Sequence, residues 1–334
     1  MDLRPGQFRG RSLLAPADCA PEEWDALLAL AARGKRERLP PVCAGRALVS
    51  VFAAPSLRTR VSMELAMRQL GGIAVTLSPG ADAWALETRD GAVMDGAAPE
   101  HVREAAAALG AMADALAVRT FPLTADPAGE LADEGLHAFA RHAGVPVTNL
   151  ESPSAHPLQA LADALTLREL LGETRGRPVL LTWAPHVKRL PLAVPLSFLH
   201  AAAVCGCDIR VAAPAAWALP AARVQALRTL AESRGGQLAT TTDRTAAAEG
   251  VRVVYAKSWA PTAPEPGAMD PAWMVDPALM ARTDRAAFLH CLPVRRNVVV
   301  ADAVLDSPAS RVAQLAANRL HTARAWLYAW LGAP

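Results

Sequence analysis

From residue 45 onward, apolar residues fall in short runs separated by stretches of helical period. Leu48–Phe52, Ile73–Leu77, Leu116–Val118 and Val145–Val147 predict strands, and Arg60–Leu70, Pro99–Ala113 and Glu130–His142 between them predict helices. The rhythm resumes with a helix over Pro157–Leu171 and a strand over Val179–Trp183. A helix over Leu192–Val204, a strand over Ile209–Ala212, a helix over Ala221–Ser233 and strands over Arg252–Tyr255 and Ala287–His290 follow. Buried strand runs spaced by helices belong to an α/β chain with parallel sheets. The periodicity breaks at Asn149-Leu150-Glu151-Ser152-Pro153, which puts a hinge near 149–157 and two domains at 1–150 and 151–317. A final helix from Asn318 carries Leu320, Leu327, Tyr328 and Leu331 near one face. It either closes the second domain or crosses back to the first, and the second option is preferred for 318–334. The Pro-rich segment 259–271 reads as a surface loop, functional or merely tolerated.

Composition narrows the class. Alanine accounts for 74 of the 334 residues, so the 52% hydrophobic content comes with little bulk and does not argue for a membrane. No run of 18 apolar residues lacks charge, and no apolar leader opens the chain. The formal charge of +2 supplies no general field for nucleic acid. Five cysteines, an odd number, do not make a disulfide framework, and Cys205 and Cys207 read as core packing. A cytoplasmic enzyme acting on small molecules is the expectation, without nucleic-acid or membrane partners.

The candidate chemistry lies at strand ends. Ala54-Pro55-Ser56-Leu57-Arg58-Thr59-Arg60 links a strand to a helix. Its amides, hydroxyls and guanidinium make either a cradle for phosphate or carboxylate, or an ordinary helix start with solvent-facing arginines. Arg119 ends another strand. His156-Pro157-Leu158-Gln159 opens a helix, with His156 readable as a cap or as a site residue. His290-Cys291-Leu292-Pro293-Val294-Arg295-Arg296 follows a third strand. Cys291 reads as a small buried residue, His290 as support, and Arg295 as an anion ligand or a surface charge. Open α/β sheets bind ligands beyond such ends. No four-ligand metal constellation is present, so a phosphate here is neutralised by arginines and helix starts, with no metal or cofactor expected. The GxGxxG signature of a nicotinamide dehydrogenase is missing from the required context.

Taken together and in order, Ser56–Arg60, His156–Gln159 and His290–Arg295 resemble the SxRTR, HPxQ and HCLPxR motifs of the aspartate/ornithine carbamoyltransferase superfamily. The resemblance runs from about residue 45 to 325. It implies two α/β domains closing around their substrates, a homotrimer with shared sites, and carbamoyl phosphate held by Ser56, Leu57, Arg58, Thr59, Arg119, His156, Gln159, Cys291, Leu292 and Arg319. Arg58, Thr59, Arg119, His156 and Cys291 are the implied catalytic set, with Cys291 acting through its main-chain carbonyl. The Asp-x-x-x-Ser-Met segment of ornithine enzymes is missing. Gly80–Trp84, Val93–Gly96, Leu181–His186 and Tyr255–Trp259 are instead similar to N-acylornithine carbamoyltransferases of arginine biosynthesis. That branch implies Trp84, Pro99, Glu151, His186, Lys257 and Arg295 for the acylornithine, and a threaded segment near Pro185–Pro195.

Acetyl-type members resemble this chain with glutamate at Pro99 and lysine at Val299, so the N-succinyl substrate is expected, with N-acetylornithine the alternative. Pro99 also reads as a helix-opening proline. A non-catalytic anion- or amino-acid-binding protein on the same fold is a further alternative. The retained Arg58, Thr59, Arg119, His156, Gln159 and Arg295 weigh against it.

Overall fold

The computed structural model describes residues 2–120, 127–261 and 270–333. The chain divides into two compact units, Met1–Leu158 with Arg319–Pro334, and Gln159–Asn318.

In chain order the first unit holds α1 (Pro21–Arg36), β1 (Ala47–Phe52), α2 (Arg58–Gln69), β2 (Ile73–Leu77), β3 (Leu86–Glu87), β4 (Glu100–His101) and α3 (Val102–Met112). It continues with β5 (Ala115–Arg119), α4 (Pro127–Glu130), α5 (Glu134–His142) and β6 (Val147–Glu151). Its four-stranded parallel sheet has the order β2-β1-β5-β6. Val49, Val51, Leu116, Val118 and Val147 pack with Leu136 and Phe139 of α5 in one core cluster. The apolar strand residues that marked these strands are therefore the ones that bury against a helix.

The second unit takes most of α6 (Pro157–Leu171), then β7 (Pro178–Trp183), α7 (Ala193–Val204), β8 (Asp208–Ala212), α8 (Ala221–Ser233), β9 (Gln237–Thr241) and α9 (Arg244–Ala248). It ends with β10 (Val253–Lys257), α10 (Pro277–Ala281), β11 (Ala287–Leu289), α11 (Asp302–Leu305) and the start of α12 (Val312–Leu331). Its five-stranded parallel sheet has the order β11-β10-β7-β8-β9. Every residue of α7 is buried, which explains why that helix is apolar all round. Beyond Asn318, α12 belongs to the first unit, where Trp326 Nε1 donates to Thr148 Oγ1 at 2.8 Å and Trp330 Nε1 to the Arg11 carbonyl at 2.7 Å.

The structure departs from the sequence expectations at definite places. The strand expected at Val145–Val147 runs instead from Val147 to Glu151, because Asn149, a polar residue, is buried by hydrogen bonds to Leu14 and Ser152. The helix expected over Glu130–His142 is broken at Asp133, whose φ of 51° is left-handed. The helix expected from Pro99 starts at Val102, since Glu100 and His101 pair with Leu86 and Glu87 and His101 caps the helix by accepting from Arg103 N. Pro99 is therefore an exposed residue ahead of a short strand, not the first residue of a helix. The last helix starts earlier than Asn318, at Val312. The helix α1, the strand β9 and the helix α9 had no counterpart in the sequence reading; in β9 only Leu238 is buried, so no apolar run marks it. Of the segment 259–271, Trp259 and Ala260 are buried rather than on a surface loop, and residues 262–269 lie outside the described residues. Phe121 and Pro122 also lie outside them. No described helix is long and apolar enough to cross a membrane.

Candidate active site

In the first unit the chain leaves β1 for β2 on one side of the sheet and later enters β5 on the other. The carboxyl ends of β1 and β5 therefore flank a topological switch point, the place where an open α/β sheet leaves a crevice. Ser56–Arg60 follows β1, and Arg119 is the last residue of β5. The helix α2 starts at Arg58 behind Leu57, and no side chain caps it. The ordinary capped start weighed from the sequence is thus not what the chain adopts. The first-turn amides, which have no acceptor within a helix, and the positive end of the dipole remain to bind an anion.

Around that start, Arg319 donates to Thr59 Oγ1, and its Nη2 lies 3.2 Å from His156 Nε2. Thr59, His156 and Arg319 are all buried. A guanidinium only donates, so this contact is a hydrogen bond in the tautomer of the neutral ring that carries its proton on Nδ1 and accepts at Nε2. For His156 to donate from Nε2 to a substrate oxygen, as the resemblance implies, the contact with Arg319 has to open and the ring has to take the tautomer with its proton on Nε2. Burial, then the charges of Arg319, Arg119 and Arg58, hold the His156 imidazole well below its ordinary pKa. It is a neutral hydrogen-bonding group among cations.

Arg119 is ion-paired to Glu151, whose carboxylate also lies 3.6 Å from His156 Nε2. This pairing depends on an irregularity. Val118 opposes Asn149, but Arg119 opposes Glu151, so the register skips Leu150. Without the skip, an apolar residue would stand beside the arginine. One residue with no place in the sequence motifs belongs to this group. Asp133, buried, accepts from Ser152 Oγ at 2.7 Å, from Ser154 N at 3.2 Å and from Ser154 Oγ. Its signal in the sequence was one of three acids, with Glu130 and Glu134, inside an expected helix, which says nothing of its partners.

Trp84 is 70% exposed on the loop between β2 and β3 and, among the described residues, touches none of these groups in any hydrogen bond or ring contact. Leu57, Val61 and Leu65 form an exposed apolar stripe along α2, at helical spacing, and Ile73 and Val75 are exposed on the edge strand β2.

The second unit repeats the arrangement. From β7 the chain goes to β8 and β9 on one side, and β10 and β11 lie on the other, so β7 and β10 flank its switch point. Lys257, the last residue of β10, stands beside Trp183, the last of β7. Lys257 is buried, and no carboxylate among the described residues lies within ion-pair distance of it. His186 follows β7. Its Nδ1 is 3.0 Å from the Lys188 carbonyl, and its Nε2 accepts from Arg295 Nε at 3.2 Å. Burial lowers its pKa first, the Lys188 hydrogen bond works the other way, and Lys257, Arg295 and Lys188 lower it further. Arg295, hydrogen-bonded to a neutral His186, and Lys257 at the end of β10 supply two cations suited to carboxylates.

After β11, Leu292 takes a left-handed φ of 58°, and its amide donates to His290 Nδ1 at 2.8 Å. His290 therefore holds the Cys291-Leu292 turn, with Cys291 buried and Leu292 partly so. The two arginines that follow part company. Arg295 goes to His186, whereas Arg296 is bound by Asp302 at 2.7 Å and Asp306 at 2.6 Å and serves the structure. Val299 sits in the core cluster of this unit with Val300 and Phe288. At the start of α6, Gln159 Nε2 donates to Asp163 at 2.9 Å, and its Oε1 is buried without a hydrogen-bond partner among the described residues. A spare buried acceptor fits an N–H of a bound molecule. Among the described residues, no group of three or more His, Cys, Asp or Glu is placed to hold a metal ion.

Comparison with known proteins agrees with this geometry. Residues 11–169 match the aspartate/ornithine carbamoyltransferase carbamoyl-P binding domain, and residues 193–330 match the Asp/Orn binding domain. The chain is 41% identical to N-acetylornithine carbamoyltransferase of Xanthomonas campestris pv. campestris, over 96% of this chain and 98% of that one. It is 37% identical to N-succinylornithine carbamoyltransferase of Bacteroides thetaiotaomicron, over 85% and 88%. Its fold matches a crystal structure of N-acetyl-L-ornithine transcarbamylase in which one glutamate is replaced by proline, complexed with carbamyl phosphate and N-succinyl-L-norvaline. The TM-score is 0.91, with 40% identity over 96% of this chain and 99% of that one. Two domain matches in the expected order, relatives aligned along nearly the whole chain, and arginines collected at the switch point of the first sheet lead to one conclusion: the protein is a member of the aspartate/ornithine carbamoyltransferase family.

Proposed function

We propose that the protein transfers the carbamoyl group of carbamoyl phosphate to the δ-amine of an N-acylornithine in arginine biosynthesis, with N-succinyl-L-ornithine preferred. The first unit binds carbamoyl phosphate, its phosphate on the uncapped start of α2 with Ser56, Leu57, Arg58 and Thr59, and with Arg119 and Arg319. The carbamoyl amide goes to the spare acceptor of Gln159 and to the main-chain carbonyls of Cys291 and Leu292.

The neutral δ-amine attacks the carbonyl carbon, so an N–C bond forms and negative charge grows on the carbonyl oxygen. Arg119, His156 and Thr59 stabilise that charge. As the tetrahedral intermediate collapses, the C–O bond to phosphate breaks and the amine proton leaves with the phosphate. The products are N-acylcitrulline and inorganic phosphate. His156, held neutral by burial and by the neighbouring arginines, acts in this step as a hydrogen-bond donor and not as a charge. Glu151 balances Arg119 and accepts from the amine, while Lys257, His186 and Arg295 receive the carboxylate groups of the acylornithine. Cys291 needs no thiolate in this scheme, since the amine is itself the nucleophile.

The observation that carries the succinyl preference is Pro99. Acetyl-type members resemble this chain with a glutamate there, and the relative crystallised with a succinyl analogue bears a proline in place of a glutamate. An exposed proline neither repels nor crowds an extra carboxylate. Val299, buried in the core, likewise supplies no acetyl-type lysine. The higher identity to an acetyl-type relative favours N-acetyl-L-ornithine as the second reading. Parallel measurements of kcat/KM with succinyl-, acetyl- and free ornithine decide between them. At least a tenfold lead for the succinyl compound is expected, and a lead for the acetyl compound overturns the preference.

The same reading includes a homotrimer in which Trp84 completes the site of a neighbouring subunit. The exposed apolar stripe Leu57, Val61 and Leu65, with Ile73 and Val75 on the sheet edge, supports burial against another copy. Sedimentation equilibrium is expected to give the mass of three chains, and replacing Val61 and Leu65 together with glutamate to give single chains. A parent protein that sediments as one chain removes the assembly.

A further inference from the structure

We propose that Asp133 is a positioning residue for carbamoyl transfer: its carboxylate pins the Ser152–Ser154 turn and thereby sets the aim of Glu151 and His156. The inference rests on the reading of the site given above.

Five residues must carry the chain from Glu151, the end of β6, to Pro157, the start of α6, with Glu151 and His156 presented to their arginines. Within this turn Ser152 N donates to the Ala155 carbonyl at 2.9 Å. Asn149 Nδ2 reaches Ser152 Oγ at 2.9 Å from below. The same amide donates to the Leu14 carbonyl at 2.7 Å, which ties the base of the turn to the N-terminal segment. Asp133 holds its outer part, from another element, with three donors on its two oxygens: Ser152 Oγ, Ser154 N and Ser154 Oγ.

The way Asp133 is used is unusual for its place. It occupies the N-cap position of α5, where an aspartate ordinarily accepts from the amides of its own helix. Here the carboxylate caps nothing and is spent wholly on the 152–154 turn. The backbone is held at a left-handed φ of 51° to allow it, a conformation that costs a non-glycine residue energy. Burial pushes the carboxyl up from its ordinary pKa, and the serine hydroxyls and the Ser154 amide pull it back. A strained backbone, an unfilled cap and a buried acid all serve one turn.

The test compares Asp133→Ala, Asp133→Asn and Ser154→Ala in the full-length chain. Each is assayed with carbamoyl phosphate and whichever acylornithine the parent turns over, and each is titrated with inorganic phosphate. The alanine variant at 133 is expected to lose ten- to a hundredfold in kcat while its phosphate Kd stays within threefold, because α2 is untouched. Asp133→Asn keeps an acceptor for the Ser154 amide and recovers most of kcat, and Ser154→Ala, losing one donor, falls severalfold. The 15N resonances of the His156 ring in the resting protein move in the alanine variant and return with asparagine. Parent-like kcat and unmoved His156 resonances in a folded alanine variant overturn the role. So does an equal loss of kcat and phosphate affinity, the pattern of general loosening. A parent that carbamoylates neither acylornithine fails the substrate reading alone, and the His156 resonances still decide the role of Asp133.

Discussion

Arg58→Ala lowers kcat/KM by a hundred- to a thousandfold, with the protein still folded. Arg58 lies in the first turn of α2, partly exposed, beside the amides to which the proposed function assigns the phosphate. Those amides and the dipole survive the substitution, so phosphate is still bound, but less tightly. On the proposed function, what is lost is the planar charge that follows the phosphate as it separates from the carbamoyl carbon. Removing one such preorganised donor costs about 3–4 kcal/mol of transition-state stabilisation. Lysine at this position restores only part of the rate, since a point charge cannot make the forked contact. Steady-state kinetics with carbamoyl phosphate as the varied substrate, beside circular dichroism, measure the effect. Turnover within threefold of the parent removes the phosphate clamp from α2.

Pro99→Glu inverts the acyl preference. The carboxylate it introduces stands where the succinyl reading puts no charge, and it repels the distal carboxylate of a succinyl group while leaving an acetyl group unopposed. Like charges brought together in a pocket cost several kcal/mol. A shift of about a hundredfold in the ratio of the two kcat/KM values, or roughly 3 kcal/mol, is expected. Because Pro99 is exposed and precedes a two-residue strand, the exchange leaves the core alone, and thermal stability changes little. Separate determination of kcat/KM for the succinyl and acetyl substrates checks it. An unchanged ratio means that Pro99 does not discriminate between them.

Legibility in the sequence followed burial. Leu48–Phe52, Ile73–Leu77 and Val179–Trp183 were visible as strands because a parallel sheet is covered on both faces and needs unbroken apolar runs. The second of these shows the limit of that rule, for Ile73 and Val75 are exposed on an edge. The edge strand β9 failed the opposite way. Its place is set by main-chain bonds to β8, which any side chains satisfy, so its pattern is polar. Arg58, Thr59, His156 and Arg295 were legible because each belongs to a local segment whose spacing has chemical meaning.

The rest was decided in three dimensions. By itself the sequence determined the α/β class, most of the strands and helices of the two parallel sheets, and the candidate segments at the strand ends, since these depend on neighbours a few residues apart. Only the tertiary structure decided that Arg119 faces Glu151 rather than Leu150, that Arg319 returns from the far end of the chain to Thr59 and His156, and that Asp133 holds the turn between Glu151 and His156. Such pairings join residues 19 to 260 positions apart. A register skip or a side-chain pairing between distant segments has no local pattern to announce it, because its stabilising contacts exist only once those segments have packed.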